Sequence, residues 1–308
     1  MRSVTIAASA IAAMVGTLAA PALAQTDEIE RMSRATRQAL AQTKTAGISA
    51  TERRLRELAD GGDLSAAAAL GQFLFVDMAD RPAEAKAACD YSEAAADAFP
   101  SARHNLATCF YEGRGRERDL ERARTEYERA ANAGALRSAC ALGNMLVRGE
   151  GGPADAEAGA AACRRGAEAG LADAETDYAI YLLEGRGVAR DQETALAYLN
   201  SAYDKGHPNA AGVLGLVYLN GDGVETDLKR AKTYLTAAVE RGATRMILPL
   251  AGLRLRLATE GVSGPQDVDL DEIAEVRDLF IAARDGSQNP AVRQRAEQGI
   301  EMLAPFLD

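Results

Sequence analysis

The sequence predicts an all-α protein: a right-handed superhelical α-solenoid of helix-turn-helix repeats with a 36-residue period and terminal capping helices. Three observations carry this prediction. The composition is rich in alanine, the best helix former, with no tryptophan and only 9 prolines in 308 residues. No β-branched runs alternate with period two, as half-buried strands would. Glycines recur at a fixed spacing of 36 residues, and a period of this length is typical of solenoids.

The first 24 residues are expected to form a secretory signal peptide (residues 1–24). Arg2 precedes an apolar run over residues 4–18, and Ala22-Leu23-Ala24 provides an A-x-A cleavage signal. A membrane anchor is the alternative, but the run is too short to cross roughly 30 Å of hydrocarbon. We therefore expect cleavage after Ala24, a periplasmic or secreted location, and no membrane insertion.

The charge of the chain bears on its partners. The net charge is −10 at pH 7, and no basic run is interleaved with aromatic residues. An acidic chain repels phosphate backbones, so nucleic acid is not an expected partner.

Five repeats in register are expected over residues 62–242. Steps of 36 residues reach Asp77, Gly113, Gly149, Gly185 and Gly221. A second glycine follows two residues later at Gly115, Gly151, Gly187 and Gly223. An aspartate follows six residues after the first position at Asp119, Asp155, Asp191 and Asp227. A last small residue follows 21 positions on at Ala98, Gly134, Gly170, Gly206 and Gly242.

These positions predict the structure of one repeat. The first glycine ends the first helix, because glycine adopts positive φ without a Cβ clash. The aspartate caps the second helix by accepting N–H groups that its first turn leaves unpaired. Capping also explains the aspartates better than a calcium-binding or catalytic row of carboxylates. The glycine-rich loops lack the G-x-x-x-x-G-K-[ST] pattern of a phosphate loop.

The ends of the array and two of its units depart from the pattern. Residues 25–61 predict an N-terminal helical cap or degenerate repeat, and residues 243–308 predict a divergent repeat followed by capping helices. The first unit lacks the loop glycines, and the third carries Gly166 in place of an alanine. We expect these two units to be less stable than the others.

The four cysteines are even in number, in a chain expected to reach an oxidising compartment. On the repeat grid, Cys89 and Cys109 lie level across the turn joining two units, and Cys140 and Cys163 lie level on two helices of one unit. Other pairings exceed the separation of about 7 Å that a disulfide tolerates. We predict Cys89–Cys109 and Cys140–Cys163; four buried free thiols are the alternative.

The pattern L-G-x-x-Y-x-x-G-x-G-V-x-x-D-x-x-x-A resembles the Sel-one-like repeat (SLR) family, a tetratricopeptide-like group, of the exported bacterial type. The fifth unit is the best match, at Leu214, Gly215, Tyr218, Gly221, Gly223, Val224, Asp227, Ala231, Ala237 and Gly242. The resemblance implies a protein-binding scaffold whose first helices line a concave surface. It also supports the disulfides, because some secreted relatives staple helix pairs in this way.

A candidate contact surface follows from that analogy. An apolar stripe with a polar rim near the ends of the first helices suits a peptide or a partner helix. Its members are Phe75, Thr108, Tyr111, Glu112, Asn144, Val147, Arg148, Ile180, Leu183, Glu184, Leu219 and Asn220. Tyr111 and Arg148 are the favoured anchors, since tyrosine and arginine often dominate interfaces. The alternative is that these side chains simply pack between repeats.

The sequence predicts no catalytic, cofactor or metal site. The two histidines, His104 and His207, lie nearly three repeats apart, and no paired metal-ligand spacing occurs. We therefore expect a non-enzymatic interaction scaffold or regulator that binds another protein. The resemblance implies partners such as a sensor ectodomain or envelope and exopolysaccharide machinery. The alternative is a hydrolase directed at cell wall or β-lactams. A carbohydrate-binding role is disfavoured because aromatic platforms are scarce.

Overall fold

The computed structural model describes residues 28–76, 84–261 and 268–307. Within these ranges the chain is helical and has no strand, which confirms the predicted all-α solenoid of repeats. The chain divides into two compact units, Met1–Arg190 and Asp191–Asp308. The expected signal peptide, with its cleavage after Ala24, lies outside the described residues.

The first unit contains an N-terminal helical segment and the helices of the first repeats. Two helices make one repeat, so α4 and α5 form the first, α6 and α7 the second, and α8 and α9 the third. The bounds are α1 Arg34–Ala41, α2 Thr43–Ala46, α3 Ile48–Asp60, α4 Leu64–Val76, α5 Ala85–Ala95, α6 Pro100–Glu112, α7 Leu120–Asn132, α8 Leu136–Arg148, α9 Ala156–Glu168 and α10 Ala172–Glu184.

The second unit continues the array and then ends it. Helices α12 and α13 form the fifth repeat, and α14 to α16 form the divergent end with a core around Ile273, Phe280 and Leu303. The bounds are α11 Gln192–Asp204, α12 Pro208–Asn220, α13 Leu228–Glu240, a 3₁₀ turn Thr244–Met246, α14 Ile247–Thr259, α15 Leu270–Gly286 and α16 Pro290–Leu307. The predicted C-terminal helices are thus confirmed.

The glycine at the end of each complete first helix has the predicted role. Gly185 follows α10 with φ +68°, and its N–H bonds to the carbonyl of Tyr181. The same left-handed cap ends α6, α8 and α12 at Gly113, Gly149 and Gly221. The 36-residue period of glycines in the sequence is therefore the spacing between the ends of successive first helices.

The aspartates cap the second helices, as predicted. The Asp155 carboxylate accepts the backbone N–H of Ala158 at 2.9 Å, so one unpaired donor of the first turn is satisfied. Asp119, Asp191 and Asp227 make the equivalent bond.

In three of the loops, the second glycine makes a main-chain contact that the sequence did not reveal. A Cβ on Gly187 would overlap the carbonyl group of Ala156, in the first turn of the preceding repeat's second helix. Gly115 and Gly151 lie equally close to the backbone at Ala85 and Leu120. This glycine therefore has two constraints, a positive φ and a main-chain contact between neighbouring repeats.

The third repeat has the closest helix pair. A Cβ on Gly143 would lie 2.5 Å from the carbonyl oxygen of Gly159, and one on Gly159 would lie 2.6 Å from that of Gly143. Gly166, expected to weaken this unit, has a similar setting, because a Cβ there would lie 2.7 Å from the Cβ of Ala174. The lower stability of the first and third units stays a prediction, but here the glycines are required by close packing.

Both disulfides form as predicted. Cys89–Cys109 joins α5 to α6, and therefore the first repeat to the second. Cys140–Cys163 joins the two helices of the third repeat. All four cysteines are buried.

The N-terminal segment is helical, as expected, and packs onto the first repeat. Asp63 accepts hydrogen bonds from the hydroxyls of Ser33 (2.5 Å), Ser65 (2.6 Å) and Thr36 (3.1 Å). Although burial opposes it, these bonds lower the pKa of the Asp63 carboxyl. Ser33 also caps α1, because its side chain accepts the backbone N–H of Thr36.

None of the helices in the described ranges combines the length and the apolar character that a membrane crossing requires.

Candidate functional site

The predicted contact residues lie in the second half of the first helices. Ten belong to the first unit: Phe75 on α4, Thr108, Tyr111 and Glu112 on α6, Asn144, Val147 and Arg148 on α8, and Ile180, Leu183 and Glu184 on α10. Leu219 and Asn220 belong to α12 of the second unit. Glu112, Arg148, Glu184 and Asn220 are exposed, and the others are half-buried.

Asn144 is held by two neighbours from the next first helix. Its Nδ2 donates to Asp177 Oδ2 at 2.7 Å, and its Oδ1 accepts the Tyr181 hydroxyl. The Tyr181 phenol is buried beside the Asp177 carboxylate, and both effects raise its pKa. The Asn144 amide thus links two repeats, which leaves less of it for an external ligand.

Thr108 is engaged in the same way. Its Oγ1 lies 2.8 Å from the Tyr127 hydroxyl and donates to the carbonyl of His104 at 3.0 Å. Burial raises the pKa of Tyr127 to about 12, so this phenol stays neutral. Thr108 therefore stabilises the second repeat from within.

Tyr111 keeps an exposed edge while bonding across a repeat boundary. Its hydroxyl donates to Glu150 Oε2 at 3.0 Å, so the ring is fixed in orientation. Burial, followed by the Glu150 contact, raises the pKa of the phenol, whereas the nearby Arg148 guanidinium acts in the opposite direction. Tyr111 and Arg148 are thus close neighbours at the junction of α6 and α8.

The charged tips of the first helices differ in their pairing. Glu112 pairs with Arg114 at 3.0 Å, and Glu184 pairs with Arg186. Arg148 is exposed and makes no ion pair with any residue in the described ranges. It is therefore the cation on this surface with the most capacity left for a partner.

The apolar candidates serve the fold as well. Phe75 packs against the N-terminal core, and Leu219 against the core of the fifth repeat. Val147 faces Gly159, where a Cβ would lie 2.7 Å from Val147 Cγ2. Ile180 and Leu183 are half-buried beside them in the array. Asn220 donates weakly to Asp222 at 3.4 Å.

Several polar residues of this surface were missed by sequence reasoning. They are Asp177, Tyr181, Glu150 and Asn105, which bonds to Gln72. Their partners lie 33 to 39 positions away, close to one repeat length. Polar residues separated by about one repeat were therefore an available signal.

One histidine lies against a serine, an arrangement that can serve acid–base chemistry. His104 Nδ1 is 2.9 Å from Ser138 Oγ, but the Ser138 side chain has no exposed surface. Burial lowers the pKa of His104 to about 4, so the ring is neutral at physiological pH. This pair is a buried polar contact between the second and third repeats, and its hydroxyl is out of reach of a substrate.

The chain also places Cys140, Cys163 and Asp177 close enough together for a metal ion. The two sulfur atoms are joined in a disulfide, so neither is a thiolate ligand. Two shallow depressions of about 650 and 600 Å³ flank α13 and share Lys229 and Leu257. Neither contains a predicted contact residue.

Comparison with protein families identifies the repeats. The family model for the Sel1 repeat matches residues 100–134, 136–171, 172–207 and 208–242. These matches confirm the resemblance inferred from the sequence and coincide with the second to fifth predicted units. A comparison with curated proteins gave no match.

Two solved structures share the fold. A Sel1 repeat protein from Oxalobacter formigenes is 22% identical, with 77% of this chain and 96% of that chain covered and a TM-score of 0.55. A protective antigen present in uropathogenic Escherichia coli strains, displaying an SLR fold, is 18% identical, with 88% of this chain and 60% of that chain covered and a TM-score of 0.55. At these identities the similarity establishes the architecture of tandem helix pairs.

Proposed function

Because the chain contains four Sel1 repeats over residues 100–242, we propose that it is a non-enzymatic scaffold of the periplasm that holds a segment of a partner protein along its first helices. Sel1 repeat proteins bind other proteins and are generally non-catalytic. The observation that carries the proposal is the exposed Arg148, without an ion pair in the described structure, beside the fixed ring of Tyr111.

The physical argument concerns what remains available for binding. Thr108 and Asn144 spend their polar groups on bonds inside the array. Tyr111 presents a ring whose orientation costs little entropy to fix, because Glu150 already holds it. Arg148 adjoins it, with a guanidinium that contacts the Tyr111 side chain and makes no ion pair in the described ranges. Such a pair resembles the small anchor groups that dominate many interfaces. The half-buried Ile180 and Leu183 extend this surface with apolar area.

Two features support the proposed location. Two disulfides persist in oxidising compartments, and the sequence begins with an expected signal peptide. A periplasmic protein should therefore carry a new N-terminus at Gln25. N-terminal sequencing of the exported protein tests this, and an intact Met1 on the exported form would contradict it.

Site-specific photo-cross-linking tests the contact surface. In the full chain, a photo-reactive residue replaces Glu112, an exposed neighbour of Tyr111 that leaves both anchors in place, and a matched one replaces Glu128, an exposed residue on the second helix α7. The proposal expects one discrete adduct from position 112 and none of the same mass from position 128. The same adduct from both positions, or none from position 112, would contradict the proposed surface.

Binding of the captured partner then tests the two anchors. Arg148→Ala and Tyr111→Ala should each weaken binding at least about tenfold, as interface anchors do. Tyr111→Phe removes the hydroxyl, with its contacts to Glu150 and Arg148, but keeps the ring and should retain most of the affinity. Circular dichroism must show unchanged helix content in all three, because a loss of fold would also abolish binding.

A penicillin-hydrolysis assay addresses the alternative hydrolase. The proposal expects no rate above that of buffer, since the hydroxyl beside His104 is buried. Hydrolysis that disappears in His104→Ala would overturn a purely non-catalytic role.

A further inference from the structure

The two disulfides lie in different electrostatic surroundings. Cys140 Sγ is 3.6 Å from Asp177 Oδ2, a carboxylate that the Asn144 amide fixes at 2.7 Å. A negative charge therefore lies against the Cys140–Cys163 bond. The carboxylate is half-buried, where solvent screens charge less than at the surface.

The Cys89–Cys109 bond instead lies under an arginine-bearing loop over residues 113–118. Cys89 Sγ is 3.2 Å from the carbonyl oxygen of Arg114, so this loop covers the sulfur. Arg116 donates to the Cys89 carbonyl at 3.4 Å and pairs with Glu93 at 2.6 Å and with Asp90 at 3.3 Å. Its Nε is buried and has no hydrogen-bond partner in the described structure. A donor on a cationic group is thus available beside this disulfide.

These surroundings have opposite effects on thiol–disulfide exchange. A thiolate attacks one sulfur atom and expels the other as a thiolate, so negative charge approaches and develops at the bond. A fixed carboxylate repels the attacking anion and raises the pKa of the leaving thiol. A neighbouring guanidinium attracts the attacking thiolate and lowers the pKa of the leaving thiol.

We propose that Cys89–Cys109 is a site of reversible thiol–disulfide exchange with dithiol reductants, whereas Cys140–Cys163 is inert. One dithiol sulfur bonds to a protein sulfur and expels the other cysteine as a thiolate. The second dithiol sulfur then attacks the reductant's own sulfur in the mixed disulfide, which breaks the bond to the protein and releases the remaining cysteine as a thiolate. The reductant leaves as its own disulfide, and the protein pair gains two electrons and two protons. The covering loop must open first, since both cysteines are fully buried.

The location of the exchangeable bond gives the exchange a structural effect. Cys89 is in α5 of the first repeat and Cys109 in α6 of the second. Reduction would remove the covalent link between these repeats while the third repeat keeps its own. This inference does not depend on the proposed function.

Timed reduction of the native protein tests the order. Dithiothreitol is added, samples are alkylated at intervals, and mass spectrometry of peptides reports each cysteine. We expect Cys89 and Cys109 to be labelled at least about tenfold faster than Cys140 and Cys163. Equal rates, or faster labelling of the second pair, would overturn the proposal.

Asp177→Asn tests the cause. It removes the negative charge, so labelling of Cys140 and Cys163 should accelerate at least about fivefold, with Cys89–Cys109 unchanged as an internal reference. Asp173→Asn makes the same charge change one turn away on the exposed side of α10 and should leave both rates as they were. An unchanged Cys140–Cys163 rate in Asp177→Asn would refute the protective carboxylate. If the variant unfolds, both pairs accelerate together, and the order in the wild-type chain then decides the proposal.

Discussion

The third and fifth repeats close the same helical hairpin in different ways. In the third, glycine meets glycine, with Gly143 and Gly159 backbone to backbone and a disulfide nearby. In the fifth, Gly215 receives a side chain, because a Cβ there would lie 2.7 Å from Leu235 Cγ. Leu235 is fully buried. In the third repeat, a disulfide joins two helices whose backbones are in direct contact. In the fifth repeat, the buried Leu235 side chain packs into the space that Gly215 leaves open.

This difference shows which features the repeat requires. Helix length, loop glycines and capping aspartates are common to both units. The contacts that hold the two helices of a repeat together can differ, provided that the first helix carries a small residue at the point of contact. Variants that target each closure separately should therefore affect each unit by a different mechanism.

The largest effect is expected from Leu235→Ala in the fifth repeat. Removing a fully buried leucine leaves a cavity over Gly215 and should lower the free energy of unfolding by about 3 kcal/mol. Chemical denaturation measures this. Leu270→Ala is the control, because that leucine is 54% exposed and its loss should change stability by less than about 0.5 kcal/mol. Equal effects of the two variants would contradict the leucine-in-notch packing.

Gly159→Ala makes the matching test in the third repeat. The new methyl would press on the Gly143 carbonyl, so we expect a loss of about 2 kcal/mol despite the better helix propensity of alanine. Gly252→Ala is the same change in α14, where a Cβ meets nothing within 4 Å, and it should be neutral or slightly stabilising. A neutral Gly159→Ala would show that the backbone contact is not required.

Acid should weaken the boundary between the second and third repeats, at a position where the fifth repeat has no titratable group. His104, packed on Ser138 of the third repeat, has a pKa lowered from 6.5 to about 4, and the fifth repeat has Gly212 at the corresponding grid position. The unfolded chain therefore takes up this proton first. The folded chain keeps His104 neutral at no cost above pH 6.5. As the pH falls from 6.5 toward 4, the free energy of unfolding should decrease by about 2 kcal/mol, a figure reduced to allow for the partial exposure of the ring.

Unfolding midpoints of the wild-type chain and His104→Gln between pH 7 and pH 4 measure this contribution. The wild type should lose more stability than the variant over that range. Parallel losses would refute the buried neutral histidine.

The smallest effects belong to the shared caps. Asp155→Ala and Asp227→Ala each remove the capping bond at the start of a second helix, and each should cost about 1 kcal/mol. Asp227 also pairs with Arg230 at 3.4 Å, but an exposed ion pair of this kind adds little. Because both repeats use the same cap, the two losses should agree within a few tenths of a kcal/mol. Chemical denaturation measures both losses. Clearly unequal losses would mean that the two capping loops differ in structure although their sequences are alike.

The sequence predicted those features that depend on position within a repeat. Glycines such as Gly185 and aspartates such as Asp155 marked helix ends, and the grid brought Cys140 level with Cys163. It could not predict the bonds of Asn144 to Asp177 and Tyr181, because these depend on the offset between neighbouring helices. For the same reason it could not tell that Thr108 points its hydroxyl into the array.

The contact of Gly187 with the main chain at Ala156 has an evolutionary consequence. This contact between repeats joins a glycine, which has no side chain, to a main-chain carbonyl group. It therefore does not depend on which side chains surround it. A duplicated gene segment carries both halves of the joint with it. The array can therefore lengthen by whole copies without compensating substitutions at the new boundary, and each copy is then free to diverge on its surface.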